Sequence, residues 1–487
     1  MQTKRARCQE ELFIASPLSA LIPDDHILKR VERILDLSWI HATVRDRYCQ
    51  DNGRPCIDPE AALRLMLAGF FYRITGDREL MREAQVNMAI RWFVGYRLDE
   101  QLPDRSSLTR IRKRWGSALF REVFERTVKQ CMQAGLVNAQ TVHIDATLIR
   151  ADVSWDSVVT RHVEQVVVEN KDDDQDDNEH PPTGGRGRPR SAPPKQKKFS
   201  PTDPEATMAT SSHRHHLEPT YKQHTAVEDT NGVIVNIEVT TGEVSEGHQL
   251  IEQVDCIESL TGMSIESVTA DCGYAHPNNY AHLEARGIDP VIPPQAVGIR
   301  KDKVQRLPLR LFKYDAHKDR VTCPAGKHLH RSSRNITGHG YWYRARSSDC
   351  RTCPMRERCI SSSASSRNLL IVDNYPALLR ARRRKEKGWD EATREKYTRH
   401  RWQVEGVHGR AKQQHGLRRA ARRGLAEMRI QCYMTAAVMN LKKLAPLTGP
   451  LSRWFLGSYS RLLRLRNLLT AFTFTALPRT ARCATGI

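Results

Sequence analysis

The chain has few aromatic residues, only 7% Phe, Trp and Tyr, and carries no RNA-recognition motif. Stacking surfaces for unpaired bases are therefore scarce, which argues against a ribosomal or RNA-binding role. It also lacks any run of 18 apolar residues that would span a bilayer. The nearest stretch, Trp454 to Phe474, is broken by Arg461, Arg464 and Arg466. Residues 1–13 have no apolar core of the signal-peptide kind. A cytoplasmic protein with no membrane partner is expected, and its 12 cysteines are then reduced, so clustered ones point to metal before disulfide. Acidic residues are in deficit: 56 Asp and Glu face 77 Lys and Arg, a net charge of +21. That excess favours a polyanionic partner, most often nucleic acid.

The 487 residues suffice for two or three domains with sizeable cores. Residues 1–130 read as helical. Asp24 and Asp25 are placed to cap a helix whose apolar face is Ile27, Leu28, Val31, Ile34 and Leu35. Asp58-Pro59 starts another, with Pro in the first helical position. From Pro103 to Trp115 a capped helix carries a dense basic face that includes Arg105, Arg110, Arg112 and Lys113. Such a helix enters a DNA groove or grips phosphates, or else is simply a solvated basic face.

From Glu169 to His215 the composition turns to Asp, Pro, Gly and Ser with almost no core formers, and disorder is expected over 169–215. The acidic run Asp172 to Asp177 reads as solvated linker, because flexible like charges hold no metal geometry. Gly185-Arg186-Gly187-Arg188-Pro189 resembles an AT-hook core, whose Arg186 and Arg188 would enter an A·T minor groove; Arg/Gly/Pro-rich linker is the other reading.

Residues 138–295 read as an α/β core. Thr141 to Arg150 alternates apolar and polar residues with β-branched content, a buried strand that carries Asp145. Two strand-like runs flank the turn Asp229-Thr-Asn-Gly232, a helix follows from about Gln249 to Leu260, and a strand from Ile265 to Ala270 ends at Asp271. A helix near 278–286 and a strand near 290–292 complete a mixed α/β order. Open α/β sheets place their sites at strand C-terminal ends, where Asp145 and Asp271 fall. Asp152 and Asp156 are weaker rivals for the first acid, since they lie at or beyond the frayed end of that strand. Glu266 precedes its strand's core, and His143 packs.

Residues 296–390 interrupt this core and contain Cys323, Cys350, Cys353 and Cys359, with His328 and His330 in reserve. Four thiolates so spaced suit one structural Zn²⁺, and reduced structural cysteines are the alternative. Residues 391–445 turn helical. Tyr397, Arg401, Glu405, His408 and Lys412 fall within one helical face beside an apolar stripe of Val404, Val407 and Ala411. Arg401 and Glu405 pair at i,i+4 for helix stability alone, or Glu405 holds metal while its cationic neighbours position phosphates. The basic tail 446–487 has no assigned role.

In order and context these elements resemble the DDE transposases of bacterial insertion sequences. The resemblance rests on Leu102-Pro-Asp104-Arg-Ser-Ser-Leu108-Thr-Arg110, Ile144-Asp145-Ala-Thr147, Ala270-Asp271-Cys-Gly273-Tyr274, the cysteine-containing insertion and Val404-Glu405-Gly-Val-His408-Gly-Arg-Ala-Lys412. It implies a ribonuclease-H-like mixed sheet behind an all-helical N-terminal domain, with an insertion between the second Asp and the Glu. It also implies a metal-dependent transposase whose Asp145, Asp271 and Glu405 bind Mg²⁺ (or Mn²⁺). Its substrates would be the terminal inverted repeats and target DNA, handled at the nucleoid by a homodimer. In the family's Tyr-Arg-Glu-Lys signature, Arg401, Glu405 and Lys412 fit, while Tyr397 lies one residue early. A transposase-derived protein that binds DNA without cutting it, or a metal-dependent nuclease, are the rival functions.

Overall fold

The computed structural model describes residues 16–48, 56–138, 140–162, 196–210, 217–295, 307, 309–335 and 339–448. Arg186 and Arg188, with most of the 169–215 segment and nearly all of the 446–487 tail, lie outside them. The chain forms two compact units: Met1–Leu136, Ala411–Leu417 and Tyr433–Ile487 make up the first, Val137–Arg410 and Arg418–Cys432 the second.

The first unit is helical. Its α1 (Ile27–Glu32) is capped by His26, whose Nδ1 accepts from the Leu28 N–H at 3.3 Å. The expected caps do something else: Asp24 pairs with Lys29 at 2.7 Å, and the helix stops short of Leu35. After α2 (Ile40–Val44), α3 (Pro59–Phe71) starts as the sequence predicts, with Asp58 accepting from Ala61 N–H at 3.0 Å and Leu63, Leu67 and Phe71 buried. Then come α4 (Asp77–Val86), α5 (Met88–Val94) and α6 (Arg105–Gln133). Asp104 caps α6 by accepting from Ser106 N–H at 2.8 Å. Gly116, at φ 68°, breaks the helix just after the buried Trp115, so the basic segment is a short helix of its own.

The second unit is built on a six-stranded sheet. Its strands are β1 (Thr141–Arg150), β4 (Thr207–Ala209), β5 (Glu218–Glu228), β6 (Ile234–Thr241), β7 (Ser267–Ala270) and β8 (Asp289–Val291); β2 (Val159–His162) and β3 (Gln196–Phe199) pair apart from it. β5 runs antiparallel to β1, β4 and β6, while β1, β7 and β8 are parallel. The β5–β6 hairpin turns where the sequence predicts, with Gly232 at φ 62°. Two helices, α7 (Leu250–Thr261) and α8 (Pro277–Ala285), connect β6 to β7 and β7 to β8. Order over 196–210 corrects the expectation of disorder there. Phe199, Asp203 and Ala206 are buried, and Asp203 is tied into the sheet by Tyr221, so a polar segment still gains a core contact.

A second, five-stranded sheet lies between β8 and the last long helices. It comprises β9 (Lys313–Asp315), β10 (Arg320–Thr322), β11 (His328–Arg334), β12 (Tyr341–Ala345) and β13 (Asn368–Ile371), joined in sequence order by antiparallel pairs, with short α9 (Ser347–Arg351) and α10 (Arg356–Cys359) between β12 and β13. The chain then returns through α11 (Tyr375–Lys387), α12 (Glu391–Gln414) and α13 (Leu425–Leu444). Among the described residues no helix is long and apolar enough to cross a membrane.

Tyr221 donates to Asp203 at 2.6 Å and accepts from the Gly424 N–H at 3.0 Å, all in a buried setting. Tyr221→Phe leaves a buried carboxylate short of a donor. It should cost about 1–3 kcal/mol and lower the calorimetric midpoint of the transition that melts this unit. An unchanged midpoint would show that the contact contributes nothing.

Candidate active site

The β1–β7 register brings two acids side by side. Parallel pairing runs from Thr141↔Ser267 to Ile144↔Ala270, so Asp145 and Asp271 are the next residues on each strand. Asp145 itself is mid-strand in β1, which continues against β5 to Arg150, whereas β7 stops at Ala270. Asp271 then caps the turn Cys272–Tyr274 by accepting from the Gly273 N–H at 2.8 Å.

Helix α12 is pinned onto this sheet by buried polar contacts. His143 in β1 bonds Asp229 at 2.8 Å through Nε2 and Thr269 at 2.5 Å through Nδ1; His400 of α12 meets the same Thr269 hydroxyl at 3.0 Å. From α12, Arg399 pairs with Asp229 at 3.0 Å and Gln403 donates to the Asp229 carbonyl. Burial holds both His143 and His400 below the usual imidazole range, His400 at about 3, with His143 a smaller cause there. The expectation that His143 packs agrees with this. One turn further, His408 bonds Thr225 at 3.0 Å and places Nδ1 3.7 Å from Asp145. Glu405, on the same helix, is 66% exposed and stands 3.6 Å from Arg401.

The acids also act on one another through their charges. Burial, above all, lifts the Asp145 carboxyl from its ordinary 3.8 to about 7; the Ala146 N–H opposes it, and the charges of Asp271, Glu246 and Glu405 add to it. Glu246 was not singled out in the sequence. It follows β6 in a short turn and pairs with Lys222 at 3.3 Å, its carboxyl raised by burial against the pull of Lys222. As placed, no three His, Cys, Asp or Glu side chains among the described residues stand close enough to hold a metal ion. The donor set nevertheless suits a hard divalent cation: it offers only oxygen, and its negative charges repel one another.

The sequence-predicted DNA contacts divide. Arg105, Arg110 and Lys113 are exposed on the first segment of α6. Arg112 is not: it is buried at 3% exposure and forks onto Asp77, with Nη1 at 3.1 Å from Oδ1, so the DNA-contact reading of Arg112 is withdrawn. A buried, paired guanidinium has no free donor face to offer a phosphate. Arg401 is exposed, and Lys412 half-buried two turns beyond Glu405. Tyr397 is held between Trp389 and His400, ring centroids at 5.1 and 5.8 Å, and burial, Asp271, Cys272 and Asp145 together raise its phenol. Asp152, a weaker rival for the first acid, pairs instead with Arg419 at 3.2 Å.

Cys323, Cys350, Cys353 and Cys359 line one cavity of about 30 Å³ with Leu329 and Ile360. Cys323 opens a tight turn closed by Gly326 N–H at 2.9 Å, with Gly326 at φ 77°. Burial raises the Cys359 thiol, Arg367 opposes, and the other three sulfurs add to the rise. Neither reserve histidine lines this cavity.

Two family models match the chain. Residues 16–114 match one described as "Transposase domain (DUF772)" and residues 322–445 one described as "Transposase DDE domain". The second spans Glu405 and the four cysteines but not Asp145 or Asp271. No curated protein matches the sequence. Among solved structures, the piggyBac transposase synaptic complex with hairpin DNA aligns over 94% of this chain and 84% of that one, at 11% identity and a TM-score of 0.29. So weak a likeness carries no argument.

The raised Asp145 carboxyl has a sign. Its folded value lies above its unfolded one, so its ionised form destabilises the fold, a cost absent below about pH 4 and fully present above about 7. In chelator, Asp145→Asn should therefore melt higher than the parent at pH 8 and about equal to it near pH 4. A variant no more stable than the parent at pH 8 would contradict this origin of the shift.

Proposed function

We propose that this chain is a DDE-type DNA transposase, a reading supported by its two matched transposase domains, and that it works through Asp145, Asp271 and Glu405. The DDE domain implies a divalent metal cofactor and DNA as the partner; Mg²⁺, or Mn²⁺ in its place, is the ion we assign. The observation that carries the reading is the register Ile144↔Ala270, which sets Asp145 beside Asp271 under a helix fixed by His400 and His408. The sheet supports a ribonuclease-H-like core: a three-stranded antiparallel part (β6, β5, β1) continued by parallel β7 and β8.

Bound divalent ions supply Lewis acidity at the attacking and leaving oxygens of an in-line displacement. The chain's residues do the rest. Asp145 and Asp271 hold charge where the β1–β7 pairing ends, and Glu405 turns in from α12. Arg401, Lys412 and the wedged Tyr397 orient the DNA strand, while Arg105, Arg110 and Lys113 bind the duplex backbone. In cleavage, a water oxygen bonds to phosphorus and the P–O3′ bond breaks, leaving a 3′-OH. In transfer, that 3′-OH attacks a target phosphodiester and a target 3′-oxygen leaves. Two ends must be handled together, so a homodimer at the nucleoid binds terminal repeats and target DNA.

The four cysteines around one small cavity are the donors a structural zinc takes, since soft thiolates select it and leave no open position. Metal analysis of protein purified without chelator should find zinc at one equivalent per chain, lost in a Cys350→Ser/Cys353→Ser double variant. Zinc-free native protein would remove the assignment.

The function itself is tested on a supercoiled plasmid bearing the element's flanking ends, with Mg²⁺ or Mn²⁺. End cleavage and strand transfer should fall at least 1,000-fold in Asp145→Ala, Asp271→Ala and Glu405→Ala while DNA binding persists. Cleavage that survives Glu405→Ala misplaces the third acid; cleavage without strand transfer makes the chain a nuclease; binding without cleavage by the parent makes it a DNA-binding derivative.

A further inference from the structure

Beside Asp271 the structure holds another carboxylate whose position nothing in the three-acid arrangement explains. Glu246 sits in the turn after β6, and that turn is clamped to the 271–276 loop. Asn279 Nδ2 donates to both the Gly247 carbonyl at 2.8 Å and the Tyr274 carbonyl at 3.0 Å, and a Cβ at Gly247 would strike the His276 ring at 2.2 Å. The two loops therefore approach closely enough that only glycine fits. On the other side a notch opens at Gly273. A Cβ there would lie 2.8 Å from Glu246 Oε2 and 2.9 Å from Asp271 Oδ1, so both oxygens border the same small space.

Glu246 is also held from behind. Lys222, itself nearly buried in β5, gives Nζ to the Val244 carbonyl at 2.8 Å and to Glu246 Oε1 at 3.3 Å. One carboxylate oxygen is thus engaged by a cation and the other, Oε2, is left towards Asp271. A plain ion pair would account for the first oxygen but not for the second. Tyr274 supplies an independent observation. Its side chain is fully buried, its hydroxyl has no hydrogen-bond partner among the described residues, and the charges that bear on it are Asp145, Glu246 and Asp271. A buried phenol left unpaired among three carboxylates marks a polar space built to be occupied.

We propose that Glu246 is a fourth metal-holding carboxylate, acting with Asp271 across the Gly273 notch and oriented by Lys222. The proposal rests on the three-acid reading and adds a ligand from a turn that the sequence pattern does not mark. Lys222 is a positioning residue: it fixes which oxygen of Glu246 faces the site. Gly273 is the residue that keeps the space between the two acids open.

The test is Mn²⁺ binding to the full chain without DNA, measured by isothermal titration calorimetry, with folding followed by circular dichroism. Glu246→Gln should weaken Mn²⁺ at least tenfold, as should Asp271→Asn. Gly273→Ala, which keeps every carboxylate but drives a Cβ against both oxygens, should weaken it as well. Glu246→Asp, retaining charge on a shorter stem, should fall between parent and Glu246→Gln, and keeps the test decisive if Glu246→Gln unfolds. Parent-like binding by folded Glu246→Gln and Glu246→Asp, with binding lost in Asp271→Asn, overturns the fourth ligand and leaves the three-acid reading standing. Parent-like binding by Asp271→Asn overturns both.

Discussion

The buried chain Asp229–His143–Thr269–His400 is the constraint on which the candidate active site depends. It crosses from the end of β5, through β1 and β7, to α12, and every member is buried. Inside a protein such a network is stabilising only when each donor and acceptor finds its partner, because an unpaired member there costs the full desolvation penalty. That requirement fixes the rotation of α12. With His400 and Gln403 facing the sheet, His408 falls beside Asp145 and Glu405 is exposed next to Arg401. The acids themselves cannot supply this order, since they repel one another.

Much of the core was legible in the sequence because its signals are local. β1 spans the predicted Thr141–Arg150, and the Asp229–Gly232 turn, the helix before β7 and the Asp58-Pro59 helix start all fall within a few residues of expectation. Hydrophobic period, turn chemistry and capping each act over a handful of residues. What was missed depends on distant partners. Arg112 reads as part of a basic face, yet Asp77, far away in sequence, draws it into the interior. Residues 196–210 read as linker by composition, but Asp203 finds Tyr221 and Gly424. Glu246 stands in a polar turn with nothing apolar around it to mark a site, and its meaning comes only from Lys222 and the Gly273 notch.

Two chemistries are kept apart in the second unit. Where the β1–β7 pairing ends, carboxylate oxygens of like charge gather; in the five-stranded sheet, thiols border a small cavity with Leu329 and Ile360. Donor softness separates the ions each would take, so a chain carrying both sites avoids exchanging a structural ion for a catalytic one. The cysteine sheet is tied back to the core by α11, where Arg380 and Arg384 reach Glu284 and Asp289 and Asn374 meets Asn278 at 2.9 Å. The segment 296–390 is thus joined to β8 and the helix before it by these contacts.

On the proposed reading a divalent ion is held where the β1–β7 pairing ends, at Asp145 and Asp271. An experimental structure of the protein with Mn²⁺ and end DNA, with the metal located by anomalous scattering, tests it most directly. An anomalous peak is expected within coordination distance of both the Asp145 and the Asp271 carboxylates, next to the scissile phosphate. A peak bound by other residues, with Asp145 and Asp271 free of metal, would contradict it.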